Sequence, residues 1–331
     1  MTLLSYVRAS LALLLSLFFA GQVLSISAAQ AETAFPSGTV TIVVPFPAGG
    51  NSDAFARFVA ERLQKAWNQP VVVENKPGAA AAIGSEAVAK ATPDGQTILL
   101  GASYMTLAPH LFANLPYDPQ KDFTPVGVGT SIPLALFAAP SLNAKTLDEL
   151  LAVLKAKPDG YNFASAGNAT LAHIGAAQFQ AKTGTKLVHI PYQGTAPALL
   201  DMIGGRAHLI VESIASGLPY VKTGELVPIL VASTQRNTSL PDTPTSAEAG
   251  LDGFVVEAWN AFFVPAATPA DVVTKLNADF AAVVADKATV DWLAERSMYP
   301  ISSSPDEFAK RLAAESASWG ETIQSAGIKV E

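Results

Sequence analysis

One unit recurs along this chain: a short β-branched and apolar run, a turn of small residues, then an amphipathic helix. Its first copy runs from Thr39 to Val44, through Pro45-Phe46-Pro47-Ala48-Gly49-Gly50, into a segment where Phe55, Phe58, Val59 and Leu63 share one helical face. A strand apolar on both sides is buried on both faces, as in a parallel sheet covered by helices. Val71 to Val73 and Thr97 to Leu100 supply further strands, with a helix predicted between them from about Ala80 to Lys90. A second set begins near Ser141. It has a leucine stripe at Leu147, Leu150, Leu151 and Leu154, predicted strands Tyr161–Ser165, Leu187–Ile190, Ala207–Val211 and Leu226–Val231, and a helix from about Ala196 to Ile203. Pro-Asp-Gly precedes a strand in both sets, at 93–95 and 158–160. Such alternation implies an α/β fold with mostly parallel sheets. The long apolar segments Val126–Ala138 and Phe254–Val264 flank the second set. They are predicted to cross between two lobes, so that helices Asp271–Val284 and Pro305–Ala326 return to the first lobe.

The amino end determines where such a fold works. Arg8, the apolar run Leu11–Ala20 and Ala29-Gln30-Ala31 before Glu32 have the order of a secretory signal, cleaved after Ala31. The run is shorter than the ~20 residues that cross a bilayer. The chain has no cysteine, which excludes disulfides, thiolate metal sites, a cysteine nucleophile and an acylated tether. An untethered exported protein is expected in the periplasm. Cleavage leaves roughly 300 residues, enough for two domains. A net charge of −7 without a basic block argues against nucleic acid as partner and against a broad attraction for anions.

Any anion site must therefore be local, and the turns offer one. A helix begins with amides that lack internal partners, at the positive end of its dipole. Gly49-Gly50-Asn51 puts little side chain in the way of an approaching anion, with Ser52 or Asn51 to cap or hydrogen-bond and Asp53 in the first turn. The same residues equally suit plain turn geometry. The turns beginning at Asn75, Gly101, Ser165 and Tyr192 also follow predicted strands, and ligands of open parallel sheets collect at the carboxyl ends of strands.

On VPFPAGGNSD (44–53), VVVENKPGAAAAIG (71–84), ATPDGQTILLG (91–101), IPYQGTAPALLDMIGGRAHLIVES (190–213), TPTSAEAGL (243–251) and the Trp259 region, the chain resembles the solute-binding components of tripartite tricarboxylate transporters, the Bug family. The match spans nearly the whole mature chain in order. The resemblance implies a periplasmic-binding-protein-like fold of two lobes joined by two crossover strands: residues 32–134 with 260–331, and 135–259. It implies a monomer that traps a small carboxylate without a cofactor and delivers it to the transporter's membrane subunits. Mapped by motif, the first lobe contributes Phe46, Ala48, Gly49, Asn51, Ser52 and Asp53, with Ala79, Ala80 and Ser103. The second contributes Ser165, Gly167, Asn168, Tyr192, Gly194 and Thr195. Asp201 matches a recurrent acidic position, yet its helix would also let it face solvent. The chain departs from the family in its run Ala79–Ala82, where a further glycine is common, in Glu212 for an aspartate, and in Asn260-Ala261 for a glycine after the tryptophan. These departures bear on which ligand is held.

Two other classes fit less well. A serine hydrolase wants Gly-x-Ser-x-Gly, and Gly101-Ala102-Ser103-Tyr104-Met105 lacks the closing glycine. His110, His173, His189 and His208 have no metal-binding spacing, and Gly127-Val128-Gly129 is an incomplete dinucleotide fingerprint. No paired carboxylates stand out, so no enzyme is expected. An exported sensor feeding a membrane kinase would use the same fold and cleft.

Overall fold

The structure is a computed structural model that describes residues 35–329. The leader and its cleavage after Ala31 lie outside the described residues. From Gly38 onward the chain forms one compact unit. Strands β1 (Val40–Val44), β2 (Val71–Asn75) and β3 (Thr97–Ala102) belong to the first set, with β5 (Asn162–Ser165), β6 (Val188–Pro191) and β7 (Leu209–Ser213) in the second. Between them run β4 (Phe123–Ala138) and β9 (Glu257–Pro265), and β8 (Val227–Val231) and β10 (Tyr299–Ser302) pair with β4. The order across the sheet is β2-β1-β3-β9-β4-β7-β5-β6.

Within each lobe the pairing is parallel: β1 lies between β2 and β3, and β5 between β6 and β7. Every antiparallel pair includes β4 or β9, so the sheet as a whole is mixed. β4 explains this. It pairs with β9 from Phe123 to Pro133, then with β7 and β8 from Leu134 or Ala135 to Ala138, and so leaves one lobe and enters the other. A second crossing runs beside it, where Val256 N–H donates to Ala232 O and Leu134 N–H to Val256 O, at 2.8 and 3.1 Å.

The helices are α1 (Asn51–Trp67), α2 (Ala82–Ala89), α3 (Tyr104–Leu111), α4 (Leu147–Ala156), α5 (Leu171–Thr183), α6 (Thr195–Ile203), α7 (Ile214–Lys222), α8 (Ala270–Ala285), α9 (Lys287–Ala294) and α10 (Pro305–Ala326). α1 buries Phe55, Ala56, Val59 and Leu63 against the core, leaves Arg57 and Glu61 outside, and stops at Asn68 in the left-handed region. α8 packs on α1 and β4. α10 packs on α3 and β4 and also reaches α5, and its Trp319 and Ile323 join the core cluster of Leu134, Phe163 and Leu209. α9 and β10 occupy a stretch where the sequence reading assigned no element.

α2 starts two residues later than predicted. Gly78 has φ 128°, and Ala79, Ala80 and Ala81 follow at 47°, 50° and 74°. Alanine is the best helix former, so propensity favoured an earlier start. Tertiary packing prevails: Gly84 sits so close to the first turn that a Cβ there would lie 2.8 Å from Pro45 Cβ and from Lys76 O. Left-handed alanine costs about 1–2 kcal/mol per residue, partly offset by the freedom glycine would lose on folding. Ala80 is exposed, so Ala80→Gly is expected to stabilise the protein by about 0.5–1 kcal/mol. Denaturant unfolding tests this, and a loss of stability would mean that the turn is unstrained.

Candidate functional site

The first turn joins β1 to α1 and is held by one carboxylate. Asp53, 5% exposed, accepts the Gly49 N–H at 2.9 Å, Asn75 Nδ2 at 3.0 Å and Arg57 Nε at 3.0 and 3.1 Å. Asn75 also donates to Phe46 O at 3.1 Å, which ties the second turn to the first. Burial pushes the Asp53 carboxyl up, but hydrogen bonds from Arg57, Gly49 and Asn75 outweigh it and hold the group below its ordinary range. Two sequence expectations change here. The Gly49 amide does not face an anion, because Asp53 claims it. Neither Asn51 nor Ser52 caps α1: Gly50 is the N-cap, without a side-chain cap bond, and Ser52 Oγ donates to Asn260 Oδ1 at 2.6 Å on β9. Ala48, Gly49, Gly50 and Asn51 are exposed.

At the next two strand ends, Ala79 and Ala80 present bare methyls on an exposed turn, and Ser103 is the N-cap residue of α3. Ser103 is buried, and its Oγ accepts the Trp259 N–H at 2.9 Å while keeping its own proton to donate. Tyr104 stands edge-on to Phe46 with ring centroids 5.7 Å apart, and its hydroxyl lies 2.6 Å from Ser85 Oγ. Burial raises its phenol above the ordinary range.

In the second lobe the turns after β5 and β6 are laced together. Tyr192 N–H donates to Ser165 O at 3.0 Å, and Gly194 N–H to Ala166 O at 3.1 Å. The Gly194 amide is therefore engaged within the lobe. Gly167, at φ 142°, would bring a Cβ to 3.5 Å from Tyr192 O. Asn168 is exposed at the tip. Ser165 Oγ donates to Gly167 O at 2.9 Å and lies 2.7 Å from His189 Nε2. His189 stacks on Phe163 and on His173, with centroids at 4.6 and 3.8 Å, and Phe163 and His173 lie 5.9 Å apart, so the three rings form a cluster. Burial and the neighbouring His173 lower the His189 imidazole to about 4, and burial lowers His173 too, so the pair is neutral at pH 7. The sequence places these histidines 16 residues apart and held no sign of the stack.

Asp201 stays partly exposed, and its carboxylate is engaged by two neighbours. It accepts the Tyr192 hydroxyl at 2.7 Å and Arg206 Nε at 2.9 Å, which hold its carboxyl below the ordinary range, Arg206 first. It positions Tyr192, whose phenol burial and Asp201 push up to about 12. Thr195 Oγ1 donates to Glu212 Oε2 at 2.9 Å.

The helix starts differ in how they are capped. α4, α5, α7, α9 and α10 each begin on a side-chain cap: Thr146, Thr170, Ser213, Asp286 and Ser304. The helices that start at Gly50, Ala81, Ser103 and Gly194 have no side-chain cap bond, a trait they share only with α8 among the described α-helices. The leading amides of α1 lie at a positive helix end beside the Asp53 carboxylate of the same turn, while the Ala82 N–H that opens α2 donates to Ala79 O at 3.0 Å and Pro197 in the first turn of α6 has no N–H. The cations nearby are engaged by the chain's own acids: Arg57 by Asp53, Lys76 by Glu74 and Arg206 by Asp201. Among the described residues no group of three or more His, Cys, Asp or Glu could hold a metal ion.

The chain is similar to known proteins over most of its length. A family model described as the tripartite tricarboxylate transporter family receptor matches residues 55–328. Protein BugT of Bordetella pertussis is 34% identical over 308 residues, which cover 92% of this chain and 94% of that protein. A Rhodopseudomonas palustris protein solved with adipate is 31% identical, with TM-score 0.72, over 89% of this chain and 100% of that one. MatC of the same species, solved with bound malate, is 31% identical, with TM-score 0.68, over 87% and 100%.

Proposed function

The chain belongs to the tripartite tricarboxylate transporter receptor family, and from that premise we propose that it is a periplasmic receptor. It takes a small organic carboxylate between the strand-end turns of its two lobes and hands it to the membrane subunits of such a transporter. The observation that carries this reading is the run of uncapped helix starts at Gly50, Ala81, Ser103 and Gly194. Removing an anion from water is costly unless several donors replace its hydration, and amides at helix starts are such donors. The adipate and malate held by the two Rhodopseudomonas palustris proteins belong to the same ligand class.

In this reading the amides that begin α1 grip the carboxylate, Gly49 shapes the turn, and Asp53 with Asn75 keeps it rigid. Ala79, Ala80 and Ser103 border the first-lobe site. Ser165, Gly167, Asn168, Tyr192 and Thr195 close over the ligand from the second lobe, with Asp201 behind Tyr192. The strands and helices of residues 35–134 and 260–302 move as one body and those of 135–259 as the other, with α10 packed on both, bending where β4 and the Val256–Glu257 crossing pass between sheets. The ligand shifts the open–closed balance only through contacts it gains on closure. The protein is exported, cleaved after Ala31, and works as a monomer.

A thermal-shift screen of dicarboxylates, tricarboxylates, acidic amino acids and aromatic acids tests this. A ligand at a hundred times its Kd adds about 2.7 kcal/mol of stability, a readily measured rise in Tm. A broad panel in which no acid raises Tm overturns the proposal.

A further inference from the structure

Glu212 is a carboxyl for which the lobe provides no cation. It lies on β7 opposite Ala135 of β4, two residues beyond Pro133, where β4 parts from β9. Through Thr195 it touches the turn between β6 and α6, so it links the bend between the lobes to the second-lobe turn. Its Oε2 accepts the Thr195 hydroxyl at 2.9 Å and its Oε1 the Ser213 amide at 2.7 Å. The Ser213 hydroxyl also bonds the carboxyl, so of its roughly four acceptor positions three are answered and one stays unfilled. Among the described residues no lysine, arginine or histidine pairs with it, and burial raises its carboxyl above the ordinary range. Its neighbours are satisfied within themselves: Tyr192 and Arg206 by Asp201, and Ser165 by Gly167 and His189.

We propose that Glu212 sets the chemistry of the ligand's far end, accepting a hydrogen bond from a hydroxyl or ammonium group there and selecting against a second carboxylate. This rests on the carboxylate-receptor reading above. The physical grounds are a difference between two ends. At the first-lobe turns, amides meet an anion. At Glu212, a second carboxylate would face a like charge with no cation between them, whereas a donor fills a vacant lone pair. The ligand class is thus a short carboxylic acid carrying a hydroxyl or amino group away from the gripped carboxylate.

Calorimetry with butanoate, its terminal hydroxy and amino derivatives, succinate, and the longer homologues of each tests this on the wild type, Glu212→Gln and Glu212→Asp. In the wild type the best donor-bearing acid is expected to bind tighter than the dicarboxylate of equal length by about tenfold or more. Glu212→Gln replaces one acceptor oxygen with an N–H donor at the same size, and is expected to reverse that order. Glu212→Asp keeps the charge and is expected to keep the order. If acids bind but Glu212→Gln leaves the ranking unchanged, the inference falls while the receptor reading stands. A wild-type preference for dicarboxylates that survives in Glu212→Gln overturns it too, since Glu212 would then act as a protonated donor. If no acid binds the wild type, the receptor reading fails and this inference with it.

Discussion

Gly50→Val is expected to weaken carboxylate binding by about a hundredfold while the protein folds as before, and Lys76→Ala is expected to change affinity by less than about threefold. The contrast separates recognition by main-chain amides from recognition by a cation. Gly50 has φ −80° and ψ 173°, an extended conformation any residue adopts, and a Cβ built there meets only Pro47 O, at 3.8 Å. A branched side chain at this position has space within the protein and takes it from whatever lies against the start of α1. Losing one or two hydrogen bonds to a charged group, at about 1.5–3 kcal/mol each, gives the stated fall. Gly49 is a poorer probe. At φ 89° any side chain strains the turn, and its amide already serves Asp53. Lys76 is partly exposed, and its Nζ lies 3.2 Å from Glu74 on the same strand-end segment. Calorimetry with the tightest acid from the thermal screen decides the matter. An equal or larger loss at Lys76 would sink the main-chain model.

The fold was legible because its signals are local. Val40, Ile42, Val43 and Val44 are all buried, as an unbroken apolar strand requires, and the stripe of Phe55, Val59 and Leu63 faces the core. The two crossing segments were visible as apolar runs too long for a lobe strand. The site was only half legible, since amides leave no residue signature: a glycine that frees an amide reads the same as one that merely turns the chain. Which amides are claimed depends on partners far away in sequence. Asn75 stands 22 residues from the Asp53 it braces, and Asn260 stands 208 from Ser52. The helical propensity of Ala79–Ala81 pointed the wrong way because the close approach of Gly84 to Pro45 dictates the turn. Tyr104, His189 and Glu212 each lie at or beside a strand end, and that position was the available sign of their place around the site.

Asp53→Asn is expected to destabilise the protein by about 2–3 kcal/mol at neutral pH, the cost of weakening charge-assisted bonds inside a buried turn. The side chain is 5% exposed and answers three donors, from Gly49, Asn75 and Arg57, so an amide of the same shape must turn an N–H toward at least one of them. The pH dependence has a definite sign. Asp53 has a folded pKa below its unfolded value, which for aspartate is about 3.9, so its contribution is fully present above that value and disappears as pH falls through the folded pKa. The gap between wild type and Asp53→Asn should stay constant from neutral pH down to about 4 and narrow below it. Parallel denaturant titrations measure the gap directly, and carboxylates common to both proteins cancel in the difference. A gap that widens on acidification would mean that the buried group is protonated in the folded protein. The brace would then be a neutral acid, and the first turn would present an anion with amides alone, free of the negative charge that Arg57 now offsets.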